Sequence, residues 1–198
     1  MAYRANYRFN RGSTLGPLGF LIVANLMVFV VTSVRPDLIY QLGLSRNSFF
    51  SQPWTIVTNM FIHAPFPNFN HILFNMLTLY FYGSYLIRLV GEKKFIIVYL
   101  LGGLLGNIVY LLLANPFTIA IGASGAIFAL GGALAVLRPK LTVFVIPIPV
   151  PIPLWIAVIG GFLIISFFPG VAWQAHLGGL ALGLLAGYQF RKKPNFLY

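Results

Sequence analysis

The sequence contains no cysteine, which excludes disulfides and thiolate chemistry and leaves the redox compartment undetermined. It holds only two acidic residues, Asp37 and Glu92, against 13 Lys and Arg. Charge as a whole is scarce: 8% of the 198 residues are charged and 59% are hydrophobic, so apolar runs occupy most of the chain and no soluble domain is expected. There is no internal repeat, and no low-complexity segment beyond one proline tract, "VFVIPIPVPIP".

What the chain does contain is a series of apolar runs of about membrane-spanning length. Five read directly: Leu15 to Val34, Phe69 to Val90, Phe95 to Ala114, Leu154 to Phe168 and Ala172 to Phe190. A sixth, Ser124 to Leu137, sits in "TIAIGASGAIFALGGALAVLRP". Together they predict an all-α polytopic membrane protein, a single bundle of six transmembrane helices. The first run follows polar, Arg-bearing sequence and no obvious cleavage site comes after it, so a retained helix is expected and not a removed signal peptide.

A net charge of +11 raises nucleic acid as a partner, but the basic residues sit at alternate ends of the apolar runs and mark topology instead. Arg4, Arg8 and Arg11 precede the first run, Arg88, Lys93 and Lys94 surround the turn between the second and third, Arg138 and Lys140 follow the fourth, and Arg191, Lys192 and Lys193 close the chain. Only Arg35 and Arg46 lie on the other side. The positive-inside rule puts both termini in the cytoplasm, with the second, fourth and sixth helices starting at the outer face. The expected protein is thus a multi-pass protein of a prokaryotic cell membrane. It comprises a cytoplasmic segment 1–14, a six-helix domain 15–190 and a basic tail 191–198.

The longest connection, Arg35 to Asn68, is rich in apolar residues and carries Pro53, Trp54, Pro65 and Pro67, which suggests a segment lying in the membrane interface. The proline tract alternates proline with aliphatics, favouring extended backbone, and reads as a linker to the fifth helix.

The fourth run poses a geometric problem. From Ser124 to Arg138 is about fifteen residues, or roughly 22 Å of helix, against a hydrocarbon core of about 30 Å. With its basic end at the cytoplasmic interface, Ser124 falls on the order of 8 Å below the outer surface, reached by the non-helical stretch "NPFTIAIGA". Irregular backbone at that depth is tolerated only where it is buried in protein or lines a water-filled cavity, so Ser124 is expected to face a cavity. His176 and Asn75 stand at a similar depth, roughly 7 Å, with His71 one turn above Asn75 on the same face. Ionisable groups in membrane helices are costly and usually face the interior, which makes these residues a candidate site. His63, near two prolines, reads as a structural anchor.

In "AHLGGLALGLLAG", His176, Gly179, Gly183 and Gly187 follow helical spacing and form one glycine-lined face. The fourth run offers Ser124, Phe128, Gly131 or Gly132, and Ala135 as a matching stripe, which would let a Ser–His hydrogen bond form. A serine hydroxyl needs a base, and neutral imidazole is the usual one. Neither Asp37 nor Glu92 is placed to orient His176, so a dyad is the economical reading and a triad is not expected. The Asn75 amide, His71 and the Ser124 backbone N–H could donate to a tetrahedral oxyanion, a contribution of roughly 2.7 to 4 kcal/mol per donor in soluble proteases. No cofactor or metal is required.

The bland readings are that small residues serve helix packing, and that membrane histidines and asparagines clamp helices together. A small transporter or channel is another possibility, since broken helices with intramembrane His and Asn occur there too.

These motifs resemble the rhomboid family of intramembrane serine proteases, across its six-helix core. "GASG" fits that family's Gly-x-Ser-Gly at Gly122 to Gly125, "HILFN" its His-x-x-x-Asn at His71 and Asn75, and "AHLGGLALG" its Ala-His-x-x-Gly-x-x-x-Gly at Ala175 to Gly183. The resemblance implies Ser124 as nucleophile, His176 as base, His71, Asn75 and backbone N–H as oxyanion stabilisers, and transmembrane proteins as substrates. It also implies a catalytically silent, helix-binding relative as an alternative, although such relatives normally lack the serine or the histidine. Trp54-Thr55 stands where many relatives have Trp-Arg, and Ile87 falls where a glutamate is common, departures that bear on anchoring of the first loop. Phe128 keeps the ring of a frequent Tyr without its hydroxyl.

Overall fold

The computed structural model describes residues 16–145 and 150–192. Arg4, Arg8, Arg11 and Lys193 lie outside these residues, as does part of the proline tract. Among the described residues the chain is mainly helical: α1 Pro17–Val34, α2 Leu38–Leu42, α3 Thr55–Thr58, α4 Asn70–Val90, α5 Glu92–Leu113, α6 Ser124–Leu137, α7 Leu154–Ser166 and α8 Trp173–Arg191.

The helix ends follow local chemistry. Pro17 opens α1, where its fixed φ and missing N–H cost nothing. Arg35 closes it ahead of Pro36, because the residue before proline is pushed out of the helical region. Gly91, at φ 85°, caps α4 through its N–H to Ile87 O and at the same time starts α5. That left-handed conformation is open to glycine at no steric cost and allows a one-residue reversal between two long helices. α6 ends at Leu137, with Arg138 and Pro139 behind it.

Three helices, α1, α4 and α5, are long and apolar enough to cross a membrane, and α6 and α7 are shorter apolar helices. Burial ranks the helices differently from length. α6 has ten buried residues out of 14, whereas α1 buries three of 18 and α7 only Leu154 and Val158 of 13. The short helix is therefore the centre of the molecule, and Ser124 is its first residue.

Small residues make that centrality possible. A Cβ built on Gly102 would strike Ala129, one on Gly106 the Ala175 carbonyl, and one on Gly178 the backbone of α5. α5, α6 and α8 thus pack backbone to backbone, as small residues in membrane helices permit. The expected stripe on α6 needs correction. Gly179, Gly183 and Gly187 of α8 meet Gly125, Ala129 and Ala133, not Phe128, Gly131 and Ala135. Gly132 does face α8, while Gly131 packs on Tyr82 and Val158, and Phe128 turns its ring to Phe162 and His176. The residues that a 3–4 spacing from Ser124 selects sit one position off the line of closest approach.

The connection from α1 to α4 contains α2, α3 and a 3-10 turn, Asn59–Phe61. It serves the break before α6. Leu44 and Ala120 exchange both backbone hydrogen bonds at 2.9 and 2.8 Å, Gly122 N–H reaches Asn59 O at 2.9 Å, and the Ser45 hydroxyl donates to Pro116 O at 3.2 Å. The non-helical stretch before Ser124 thereby obtains the partners that its backbone polar groups need. Around the proline tract, Thr142–Val143 (β1) and Ile152–Pro153 (β2) pair antiparallel, so its flanks form a small ladder leading into α7; residues 146–149 lie outside the described set.

Candidate active site

Ser124, His176 and His71 each stand at or near the N-terminal end of a helix, α6, α8 and α4 respectively. Ser124 Oγ and His176 Nε2 are 2.7 Å apart. His176 is buried and Ser124 half-buried, so the pair joins a largely desolvated imidazole to a hydroxyl with one accessible side. The Phe128 ring lies on His176 with centroids 4.7 Å apart and 33° between planes, and fixes the imidazole from one face.

No carboxylate takes part. His176 Nδ1 is buried without a protein hydrogen-bond partner. Asp37 is exposed and bonded through both carboxylate oxygens to Arg35, at 2.9 and 2.8 Å, which holds its pKa below the ordinary carboxylate value. Glu92 is the first residue of α5, whereas Gly106 of the same helix is the one that touches Ala175. Those 14 residues separate Glu92 from the histidine level by about 21 Å along the axis.

His71 Nδ1 accepts the Ala64 N–H at 3.4 Å, a contact that fits the tautomer with its proton on Nε2. That Nε2 faces Gly122: a Cβ there would lie 2.9 Å from it and 3.6 Å from Ser124 Oγ. The empty glycine position is thus the gap between the His71 donor and the serine oxygen. Gly122 has φ 120°, so glycine is required by conformation as well as by space. Ser124, as the first helical residue, has a backbone N–H without an intrahelical acceptor. Asn75 Nδ2 donates to His71 O at 2.8 Å, which commits one of its two protons to its own helix. Gly125, Gly179 and Gly183 line the contact that carries α8 to α6.

His63 is wholly buried with its ring against that of His71, centroids 5.0 Å apart. Burial pushes its pKa down to about 3, so it is neutral, and with neither ring nitrogen hydrogen-bonded to a described residue its contact with His71 is one of packing. In the first loop, Trp54 Nε1 donates to Gln41 O at 2.9 Å and buried Thr55 donates its hydroxyl to Gln52 O at 2.6 Å. Two residues that the sequence reading passes over belong beside the site. Asn59 and Asn107 are both buried and line, with Gly122 and Ser124, a cavity of about 10 Å³. A lone amide amid "LLGNIVYLLL" was the available signal, since polar groups in apolar helices are costly.

Comparison with known proteins points one way. The family model for the Rhomboid domain matches residues 51–193. The putative rhomboid protease YdcA of Bacillus subtilis is 29% identical over 163 residues, covering 80% of this chain and 76% of that protein. RHOMBOID-like protein 1 of Arabidopsis thaliana is 34% identical over 146 residues, 73% of this chain and 36% of its own length. Rhomboid protease GluP of B. subtilis is 28% identical over 187 residues, 90% of this chain and 35% of its own. The chain thus spans most of the first relative and about a third of the other two.

Proposed function

The chain belongs to the rhomboid family of membrane-embedded proteins, generally intramembrane serine proteases, and we propose that it is itself an intramembrane serine endopeptidase working through a Ser124–His176 dyad. The observation that carries this reading is the 2.7 Å contact between Ser124 Oγ and His176 Nε2 at the buried junction of α6 and α8. In the proposed reaction His176 Nε2 takes the hydroxyl proton as Ser124 Oγ attacks the scissile carbonyl. His71 Nε2–H, the second Asn75 Nδ2 proton and the Ser124 N–H donate to the tetrahedral oxyanion. His176 then returns its proton to the leaving amine, and water hydrolyses the acyl-enzyme. A fluorophosphonate should label the wild-type chain covalently and leave Ser124→Ala unlabelled; absence of label on folded wild-type protein would remove the reading, and a silent helix-binding relative or a transporter would give that result.

In the membrane, α1, α4, α5, α6, α7 and α8 all cross, with both termini cytoplasmic and the dyad nearer the outer face. Arg88, Lys93, Lys94, Arg138, Lys140, Arg191 and Lys192 occupy the inner ends of these helices in that arrangement. The first connection then lies in the outer interface. Its exposed Tyr40, Phe50, Trp54 and Phe66 suit that depth.

The dyad reading predicts that Asp37→Asn and Glu92→Gln keep wild-type cleavage rates, since one carboxylate is solvent-exposed on Arg35 and the other lies at the far end of α5. A folded Asp37→Asn protein that no longer cleaves a single-span substrate would bring back a triad.

Substrates are transmembrane segments cut near their outer ends. Because a membrane helix has all its backbone bonds made internally, it must unwind to be cut, and Gly or Pro near the bond lowers that cost by about 1 to 3 kcal/mol relative to Ala. Entry beside α7 is supported by its sparse packing: only Leu154 and Val158 are buried, and Gly160 and Gly161 look onto open space. Cysteines that cross-link α7 to α4 should block cleavage. Undiminished turnover in fully cross-linked protein would rule this gate out.

A further inference from the structure

The segment that carries Ser124 is joined to a pair of buried amides outside the reacting groups. Asn59 Nδ2 donates to Asn107 Oδ1 at 3.0 Å, and Asn107 Nδ2 donates to Asn59 Oδ1 at 2.8 Å and to Ile56 O at 2.7 Å. The two residues are 2% and 3% exposed, so bulk water has little access to compete for these bonds. The third link is the backbone of the same residue: Asn59 O receives the Gly122 N–H at 2.9 Å. A continuous path therefore runs from the middle of α5, through the 3-10 turn of the first connection, to the residue two before Ser124.

We propose that Asn107 and Asn59 are positioning residues, a reciprocal amide clamp that fixes Asn59 O, through it Gly122, and so the placement of Ser124 against His176 and His71. This rests on the reading of Ser124 as the nucleophile. The physical need is specific. Gly122 sits at φ 120° at the end of a non-helical stretch, where no helix or sheet ladder defines its position, and its hydrogen bond to Asn59 is what sets the Nε2-facing gap beside His71. The 3-10 turn bearing Asn59 is only three residues long and continues directly from α3, itself a single turn of four residues, so the first connection alone offers it little depth of support. Bracing comes from Asn107, whose helix also packs directly on α6 and α8 through Gly102, Gly103 and Gly106. Leu44 and Ala120 hold the upstream part of the stretch; the clamp holds the end that adjoins the nucleophile.

The test uses the full chain in proteoliposomes. Asn107→Leu keeps the approximate shape of the side chain and removes both donors and the acceptor. It should lower kcat for a single-span substrate and the rate of fluorophosphonate labelling together, on the order of 10- to 100-fold, with KM within about twofold, at a temperature where the protein is fully folded. Asn59→Leu should do the same, and the double variant should cost no more than either single one, because both remove one shared interaction. Amide hydrogen exchange over 118–124 should quicken at Gly122 in each. If Asn107→Leu does not fold, Asn107→Asp, which keeps the volume and loses the amide donors, takes its place. Unchanged kcat, labelling and Gly122 exchange in folded variants, whatever the unfolding temperature, would overturn the clamp, as would additive losses in the double variant. Should the wild-type chain neither cleave nor label, the protease reading fails, while Gly122 exchange still decides whether the clamp holds this segment.

Discussion

Ser124→Ala and His176→Ala should each abolish proteolysis in a protein that still folds and inserts. The expectation follows from how little else the site contains. Among the described residues the serine hydroxyl is hydrogen-bonded to one base, His176 Nε2 at 2.7 Å, and the Nδ1 of that imidazole is buried without a hydrogen-bond partner. General base catalysis contributes about 10²- to 10⁴-fold, and removal of the nucleophile from a cooperating pair costs still more. Each single variant should therefore cleave at least about 10⁴-fold more slowly than wild type, and the double variant should be no slower than the Ser124 variant. Ser124→Ala removes one oxygen and should leave the unfolding temperature nearly unchanged. His176→Ala truncates a buried ring stacked on Phe128 and should lower it measurably, which is why its activity must be read well below that temperature. Cleavage near the wild-type rate in either folded variant would sink the assignment.

The limits of α6 could be read from the sequence because punctuation residues mark both ends: Gly-Ala-Ser-Gly interrupts the apolar run, and Arg138-Pro139 stops it. The mismatch between its length and the bilayer then pointed to a broken segment, and the structure fills that break with non-helical residues 114–123. The partners of that segment could not be read in the same way. Asn59 and Asn107 are 48 positions apart, and neither has a local pattern that names the other. Leu44 pairs with Ala120 by backbone alone, which no side-chain periodicity reports. The α6 face that meets α8 is illegible for a third reason. α6 carries small residues on several sides, so spacing from Ser124 offered more than one stripe, and the choice depends on where carbonyl oxygens of one helix approach Cα atoms of the other. His176 was legible because a lone ionisable residue in an apolar helix is costly and so conspicuous.

Gly179→Ala is the test of that close approach, and its expected effect reaches both stability and chemistry. A Cβ at position 179 would meet the Gly125 carbonyl oxygen at a separation that real atoms do not adopt, and Gly183 stands in the same relation to Ala129 one turn further on. Overpacking a core usually costs about 1 to 3 kcal/mol, because neighbouring side chains can shift. Here the obstacle is the backbone of the most buried helix, which is itself wedged against α4, α5 and α7, so relief requires α8 to move away from α6 as a body. Movement on that line carries His176, only three residues before Gly179, away from Ser124, only one before Gly125. The variant should therefore unfold at a lower temperature and, while folded, lose on the order of 100-fold in cleavage, since displacement by about 1 Å is enough for that. Gly160→Ala provides the contrast: nothing lies within 4 Å of its Cβ, so it should gain helix propensity and unfold no earlier than wild type. If Gly179→Ala instead unfolds with wild type and cleaves at full rate, α6 and α8 are not in backbone contact at Gly125, and the dyad must be held together by some other packing.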